Sequence, residues 1–209
     1  MKLFYHVGQY FYMLKRVFSK PEKHTMYLRQ LLHEIDSLGV NSVWLVIIIS
    51  VFIGGIMVIQ FAYSMANPLY PTTLVGLGTR DTLILEFSST MMALIMAGKI
   101  GSNITSEIGT MRVTEQIDSL EIMGVNSASY LILPKIVAVV LVFPFLFIVS
   151  VFFGLLGGLV TGPLAGVIPA ADYIEGIQWL FYPYYVTFSI IKSLFFGFLV
   201  ASVPAYFGY

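Results

Sequence analysis

The sequence predicts an all-α membrane protein, with amphipathic interfacial helices at the N-terminus followed by four transmembrane helices. Three observations lead there. The 209-residue chain is 58% hydrophobic and 11% charged, where a soluble domain is roughly 45–50% apolar and about 25% charged. Four long apolar stretches recur along it. Its basic residues cluster at the N-terminus and in one polar segment. A domain of this length cannot bury so much apolar surface against itself, and mean hydropathy is +0.88; lipid must supply the remaining cover.

Composition also excludes several classes of function. Formal net charge is zero, which gives no reason to expect a nucleic-acid partner. Cysteine is absent, so disulfides and thiolate metal sites are ruled out. His6, His24 and His33 stand within the first 33 residues with no acidic cluster at ligand spacing, and no metal site is expected. The first apolar stretch is broken by His6, Gln9, Lys15 and Arg16 and is followed by no small-residue cleavage site, unlike a secretory signal.

Residues 3–18 carry Leu3, Val7, Phe11, Leu14 and Phe18 at helical spacing. Tyr5, Tyr10, Tyr12, Lys15 and Arg16 suit a helix lying among lipid headgroups. Ser19-Lys20-Pro21-Glu22 reads as a capping box opening a second helix, with Leu28, Leu31, Leu32, Ile35 and Leu38 as its apolar stripe. Asp36, Ser37 and Gly39 loosen that pattern. Residues 1–40 are thus interfacial, and 41–209 form the bundle of one membrane domain.

The first span covers Val43 to Met65, free of charge, with Gly54-Gly55 allowing close helix contact. At about 1.5 Å per residue it crosses a hydrocarbon core of roughly 30 Å. Pro68 and Pro71 follow. The second runs roughly from Thr82 to Ile100, with Ala93, Ala97, Gly98 and Gly101 marking a packed face. Residues 102–127 are too polar to span. There Val113, Ile117 and Leu120 share one face of a short helix that Gly124 ends. The third span covers roughly Tyr130 to Leu159, with Pro134 and Pro144 as candidate bends. A short helix is predicted around 170–180. The fourth span runs roughly from Tyr184 to Tyr206.

Basic residues mark cytoplasmic flanks. Lys2, Lys15, Arg16, Lys20, Lys23 and Arg29 precede the first span. Lys99, Arg112 and Lys135 surround the polar segment, while the first outer loop has only Arg80. The N-terminus, residues 102–127 and the C-terminus are therefore expected on the cytoplasmic side.

No catalytic signature is present: no phosphate-binding G-x-x-x-x-G-K-[ST], no G-x-S-x-G, no H-E-x-x-H. Any energy must come from an ion gradient or another subunit. Glu86 and Lys192 are charges within apolar spans, each costing about 2.5–3.5 kcal/mol at a helix centre. Both fall in the outer half, where they either face each other or a hydrated cavity, or snorkel separately to the interface.

Residues 85–124 read LEFSSTMMALIMAGKIGSNITSEIGTMRVTEQIDSLEIMG. This stretch resembles the signature of the MlaE (YrbE-type) permease family, above all at Glu107 to Asp118. Glu86-Phe87, Ala97-Gly98, Gly101-Ser102, Leu120-Glu121 and Met123-Gly124 continue the match, and Pro134-Lys135 and the closing SVPAYFGY fit as well. The resemblance covers most of residues 40–209. It implies a non-catalytic membrane subunit of an ABC transporter in the bacterial inner membrane. Such a subunit forms a homodimer, works with a cytoplasmic ATPase that binds ATP and Mg, and meets a periplasmic MCE-domain protein. The cargo it implies is phospholipid, moved between the inner and outer membranes.

The resemblance also implies that Thr110 to Gly124 form a coupling helix docking on the ATPase, through Thr110, Met111, Arg112, Val113, Glu115, Gln116, Ile117, Leu120 and Glu121. It further implies a fifth span beyond Tyr209. By position and polarity, Gly55, Ile59, Tyr63, Glu86, Met91 and Lys192 are candidates to line a lipid cavity. Two departures stand out: Phe87-Ser88-Ser89 replaces a common Phe-Gly-Pro, predicting a straighter second span, and Lys99 replaces a common arginine, losing a bidentate contact. Two other classes fit less of the sequence. A membrane scaffold leaves the buried charges unexplained. An ion-coupled secondary transporter needs paired broken helices and an internal repeat.

Overall fold

The structure is a computed structural model and describes residues 2–19, 24–66 and 70–209. Lys20, Pro21 and Glu22 of the predicted capping box, and Pro68, lie outside them. Every element among the described residues is helical. In chain order these are α1 (Lys2–Phe18), α2 (His24–Glu34), a π-helical turn (Ile35–Val40), α3 (Asn41–Ser64), α4 (Thr73–Thr82), a second π-helical segment (Leu83–Met91), α5 (Met92–Val113), α6 (Gln116–Ile122), α7 (Ser127–Leu164), α8 (Ala170–Gln178) and α9 (Pro183–Gly208).

Among the described residues, four continuous helical stretches are long and apolar enough to cross a membrane: Tyr27–Ser64, Thr73–Val113, Ser127–Leu164 and Pro183–Gly208. The four predicted spans are all present, and each is longer than its apolar run. The reason is common to them. In hydrocarbon the backbone must bond internally, and the helix then continues past the lipid boundary wherever no residue breaks it. Asp36, Ser37 and Gly39 do not separate α2 from α3; they sit in the π-helical turn that joins them. Pro134 and Pro144 lie within an unbroken α7.

The chain forms two compact units built from interleaved segments. One comprises residues 1–41, 93–143 and 194–209; the other comprises 42–92 and 144–193. In the first, Ala93, Met96, Ile100, Ile104 and Ile108 form the buried stripe of α5. α1 turns Met13 and Val17 inward and leaves Phe4, Phe11 and Phe18 exposed. It is held to α9 by bonds from Tyr10 to Ser202 and from His6 to Tyr206 at 2.7 and 3.0 Å. Of the small residues expected to pack, Gly101 meets the Pro204 ring, whereas a side chain at Gly98 would enter open space.

The second unit rests on close glycine contacts. A Cβ at Gly54 would fall on the Gly154 backbone of α7, and one at Gly157 on the Val51 carbonyl of α3. Only glycine lets these two helix backbones approach so closely. α4 packs on α8 in the same way, through Gly76 and Gly176. Burial pushes the hydroxyl of Tyr173, on α8, well above the ordinary tyrosine range. Thr72 donates to Asp172 beside this crossing.

Arg80 is 2% exposed. It donates to the carbonyls of Ile177, Trp179 and Leu180 at 2.6, 2.7 and 3.2 Å and to Asp81 at 2.8 Å. It thereby satisfies the orphan carbonyls at the end of α8, where Leu180 turns left-handed at φ 48°. Hydrophobic periodicity reads past this role, because Arg80 looks like an ordinary loop charge. Arg80→Gln strips donors from buried carbonyls, and each unsatisfied group costs about 1–3 kcal/mol. The expected result is a lower melting temperature by circular dichroism in detergent with helix content unchanged at low temperature.

Candidate functional site

The π-helical segment Leu83–Met91 contains Glu86 and sits in the second span. Segments of this kind are frequent at functional sites. Widening to the i→i+5 pattern displaces carbonyls from their α-helical register. The Leu85 carbonyl accepts from Lys192 Nζ at 2.9 Å and from the Ser89 hydroxyl at 3.2 Å. Lys192 Nζ also lies 3.0 Å from a Glu86 carboxylate oxygen, which accepts from Thr90 at 3.3 Å. The two charges therefore meet, as one of the two sequence readings expected. The side chains are 63% exposed for Glu86 and 21% for Lys192, so the carboxylate opens outward while the ammonium is held. The Ser88 hydroxyl is buried with no partner among the described residues.

The other cavity candidates are placed differently. Gly55 is buried, and a Cβ there would strike the Thr161 side chain at 2.6 Å; a glycine in a span fits a ligand or a neighbouring helix equally well. Ile59 is half-buried, and Tyr63 and Met91 are exposed. Among the described residues, the hydrogen bonds of the site join Glu86, Lys192, Leu85, Ser89 and Thr90.

The polar segment is not one amphipathic helix. α5 runs to Val113; Glu115 then turns left-handed at φ 59°, and α6 begins at Gln116. That break separates the Val113, Ile117 and Leu120 stripe. Val113 is 84% exposed, Ile117 is buried at 1%, and Leu120 is half-buried. The apolar groups α6 offers outward are Ile122, 87% exposed, and the adjoining Met123. Thr110 donates to the Ser106 carbonyl within α5, Met111 is half-buried, and Gln116 is exposed. Arg112 donates to the Tyr209 carbonyl at 2.8 Å.

Glu121 holds the segment in place. It accepts from Arg16 at 2.7 Å, from Ser127 at 2.8 Å and from Tyr209 at 3.2 Å. A second ionic cluster escaped sequence reasoning. Lys135 is 1% exposed, and its Nζ lies 2.6 Å from Glu34 and 2.7 Å from Glu107, joining α7 to α2 and α5. The motif Pro134-Lys135 was visible, but nothing local in sequence points to partners 101 and 28 residues away.

Hydrogen bonds from Ser127 and then Arg16 hold the Glu121 carboxyl below its ordinary range. A carboxyl with a lowered folded pKa stabilises the native state above 4.5, its ordinary value, and loses that contribution as pH falls through the lowered one. Glu121→Gln is therefore expected to be less stable than the parent protein at neutral pH, with the gap closing in acid. Thermal unfolding from pH 7 to pH 3 reads this directly; a gap that stays constant would contradict it.

The chain was compared with known proteins. The family model described as Permease MlaE matches residues 31–209. A probable ABC transporter permease of Synechocystis sp. is 30% identical over 198 residues, covering 95% of this chain and 75% of that one. The intermembrane phospholipid transport system permease protein MlaE of Haemophilus influenzae is 29% identical, covering 86% and 69%. The chloroplastic protein TRIGALACTOSYLDIACYLGLYCEROL 1 of Arabidopsis thaliana is 26% identical, covering 89% and 53%. With four membrane-length helices and a family match running from residue 31 to Tyr209, this chain is a multi-pass membrane protein belonging to the MlaE permease family.

Proposed function

We propose that this chain is the permease subunit of an ABC transporter that moves phospholipid between the bacterial inner and outer membranes. It does no chemistry itself. A separate cytoplasmic ATPase binds ATP and Mg, an MCE-domain protein receives or delivers lipid on the periplasmic side, and two copies of the permease work as a homodimer. The names of the Haemophilus and Synechocystis relatives support the transport class. The observation that carries the reading is the Lys192–Glu86 pair on a π-helical segment within a span. Ionisable groups inside spans mark substrate pathways. Here the exposed Glu86 carboxylate and the held Lys192 ammonium offer both signs of charge to a zwitterionic headgroup.

The proposed orientation puts the N-terminus and the α5–α6 turn on the cytoplasmic side. Nine of the eleven basic residues lie before the first span or in α5 and the start of α7, and only Arg80 and Lys192 lie elsewhere, as the positive-inside bias requires. The ATPase then meets the α5–α6 turn through its exposed apolar groups Val113, Ile122 and Met123.

Two experiments test this. In the reconstituted complex, Lys192→Met is expected to lower phospholipid-stimulated ATP hydrolysis at least tenfold. Adding Glu86→Gln should restore part of it, because the single change leaves a carboxylate unpaired; coupling between contacting residues is about 0.5–3 kcal/mol. Strictly additive effects would reject the pair as one unit. Separately, Ile122→Asp is expected to lose the ATPase in a detergent pull-down while the permease still folds, whereas Ile117→Asp destabilises the permease itself. Full ATPase retention by Ile122→Asp would remove α6 from the docking surface.

A further inference from the structure

A groove of about 260 Å³ lies within the second compact unit, between α7 and α8. Phe152, Leu155, Leu156 and Leu159 form its α7 wall; Ile174, Ile177 and Gln178 form the wall on α8. The crossing of the two helices creates it. Tyr173 is the wedge: its hydroxyl donates to the Leu155 carbonyl at 3.3 Å, and a Cβ at Gly158 would fall on that hydroxyl. Gly76 of α4 presses on Gly176 from another side of α8. Ile174 and Gln178 are four residues apart and share a face, which reaches past the wedge to the edge of the crossing.

Three observations identify what fills it. The first is the lining. Gln178 is its one polar residue among those described, so water would find too few partners there, and an empty groove would forfeit dispersion contacts along both walls. α7 is a membrane-length helix, and Phe152 on the groove wall is exposed, so hydrocarbon is the medium that meets it. The volume lies below the roughly 300–1,000 Å³ of sites that enclose a whole small ligand, which suits one chain and not an entire lipid. The second observation is depth. Trp179, Phe181, Tyr182 and Tyr184 follow α8 directly and are exposed. Such a run sits at the level where headgroups meet acyl chains, so the groove opens where the tails begin. The third is charge. Glu175 is exposed, three residues from Gln178 on α8, and forms no ion pair among the described residues. Arg80, the cation at this end of α8, is already committed to the carbonyls of Ile177, Trp179 and Leu180 and to Asp81. A mouth with a free carboxylate and an amide suits a headgroup that carries an ammonium and disfavours one with net negative charge.

We propose that this groove holds one acyl chain of a phospholipid whose headgroup bears a primary ammonium, as in phosphatidylethanolamine. The chain lies along Phe152, Leu155 and Leu159, and the ammonium meets Glu175 with the phosphate at the Gln178 amide. The site does not include Glu86 or Lys192 and does not depend on the transport reading. It is a resident-lipid site that seals the α7–α8 crossing from the side.

Photolabelling tests this. The full chain is reconstituted in phosphatidylcholine vesicles with a small fraction of phosphatidylethanolamine that carries a diazirine in one acyl chain, irradiated, and mapped by mass spectrometry. Label is expected on Leu155, Leu159 and Ile177 at least fivefold above Phe145 and Ile148, which are exposed on the same helix outside the groove. Excess unlabelled phosphatidylethanolamine should remove it, and phosphatidylglycerol should not. Ile174→Trp, at an exposed position on the groove wall, fills the space and should bring the label down to the level of Phe145, with the melting temperature unchanged. Glu175→Gln, on the surface, should let both lipids compete alike. Label spread evenly along the exposed face of α7, equal competition by both lipids in the parent chain, or undiminished label in Ile174→Trp would each overturn the proposal. Cysteine is absent from the chain, so a single Leu156→Cys reports the alternative occupant: disulfide-linked dimers in the vesicles would give the groove to a second copy and overturn the lipid site.

Discussion

An ammonium group has nowhere to discharge its hydrogen bonds inside hydrocarbon, and this governs how Lys192 is built into the fourth span. Its nitrogen reaches a carboxylate and a backbone carbonyl. The carbonyl is within reach because the second span abandons α-helical register over Leu83–Met91. The local helix geometry and the placement of the charge are therefore one problem with one solution. The same requirement shapes the other buried cations. Arg80 takes its partners from the carbonyls at the end of α8, and Lys135 takes two carboxylates from two helices. In each case the residue that is costly to bury also fixes the position of the elements that satisfy it.

Dispersion and close approach do the rest, because lipid tails give helices no hydrophobic reason to associate. α3 and α7 meet through glycines, Gly54 against Gly154 and Gly157 against the Val51 backbone. A hydroxyl bond between Ser50 and Ser150 at 2.8 Å lies buried along the same pair. Small residues create the contact and one polar pair fixes its register. The α4–α8 crossing repeats the scheme at Gly76 and Gly176, with Arg80 and Thr72 as its polar fastenings.

The four spans were legible because their signal is local: about twenty apolar residues in a row. The short α8 and the amphipathic α1 were legible for the same reason. The Glu86–Lys192 pair was readable as an alternative, since two charges in apolar spans that run in one direction have few other partners. What sequence did not reveal is whatever depends on residues far apart in the chain. Ile117 looks like half of an exposed stripe, and only the left-handed turn at Glu115 turns it inward. Gly55 reads equally as a cavity wall or a helix contact until Thr161 is placed against it. Arg80 and Lys135 look like surface charges because their partners lie about a hundred positions away.

Topology can be reached by two independent routes. Counting crossings, α3 and α5 carry the chain over and back, so α1 and α6 must share a side; α7 and α9 do the same for the chain's last residues. The hydrogen bonds arrive at that result without counting. Arg16 of α1 is bonded to Glu121 of α6, Ser127 opens α7 bonded to both Glu121 and Tyr209, and Tyr209 follows α9. These contacts agree with an even number of crossings between each pair of these groups. The distribution of Lys and Arg is then needed only to decide which side of the membrane that shared face occupies.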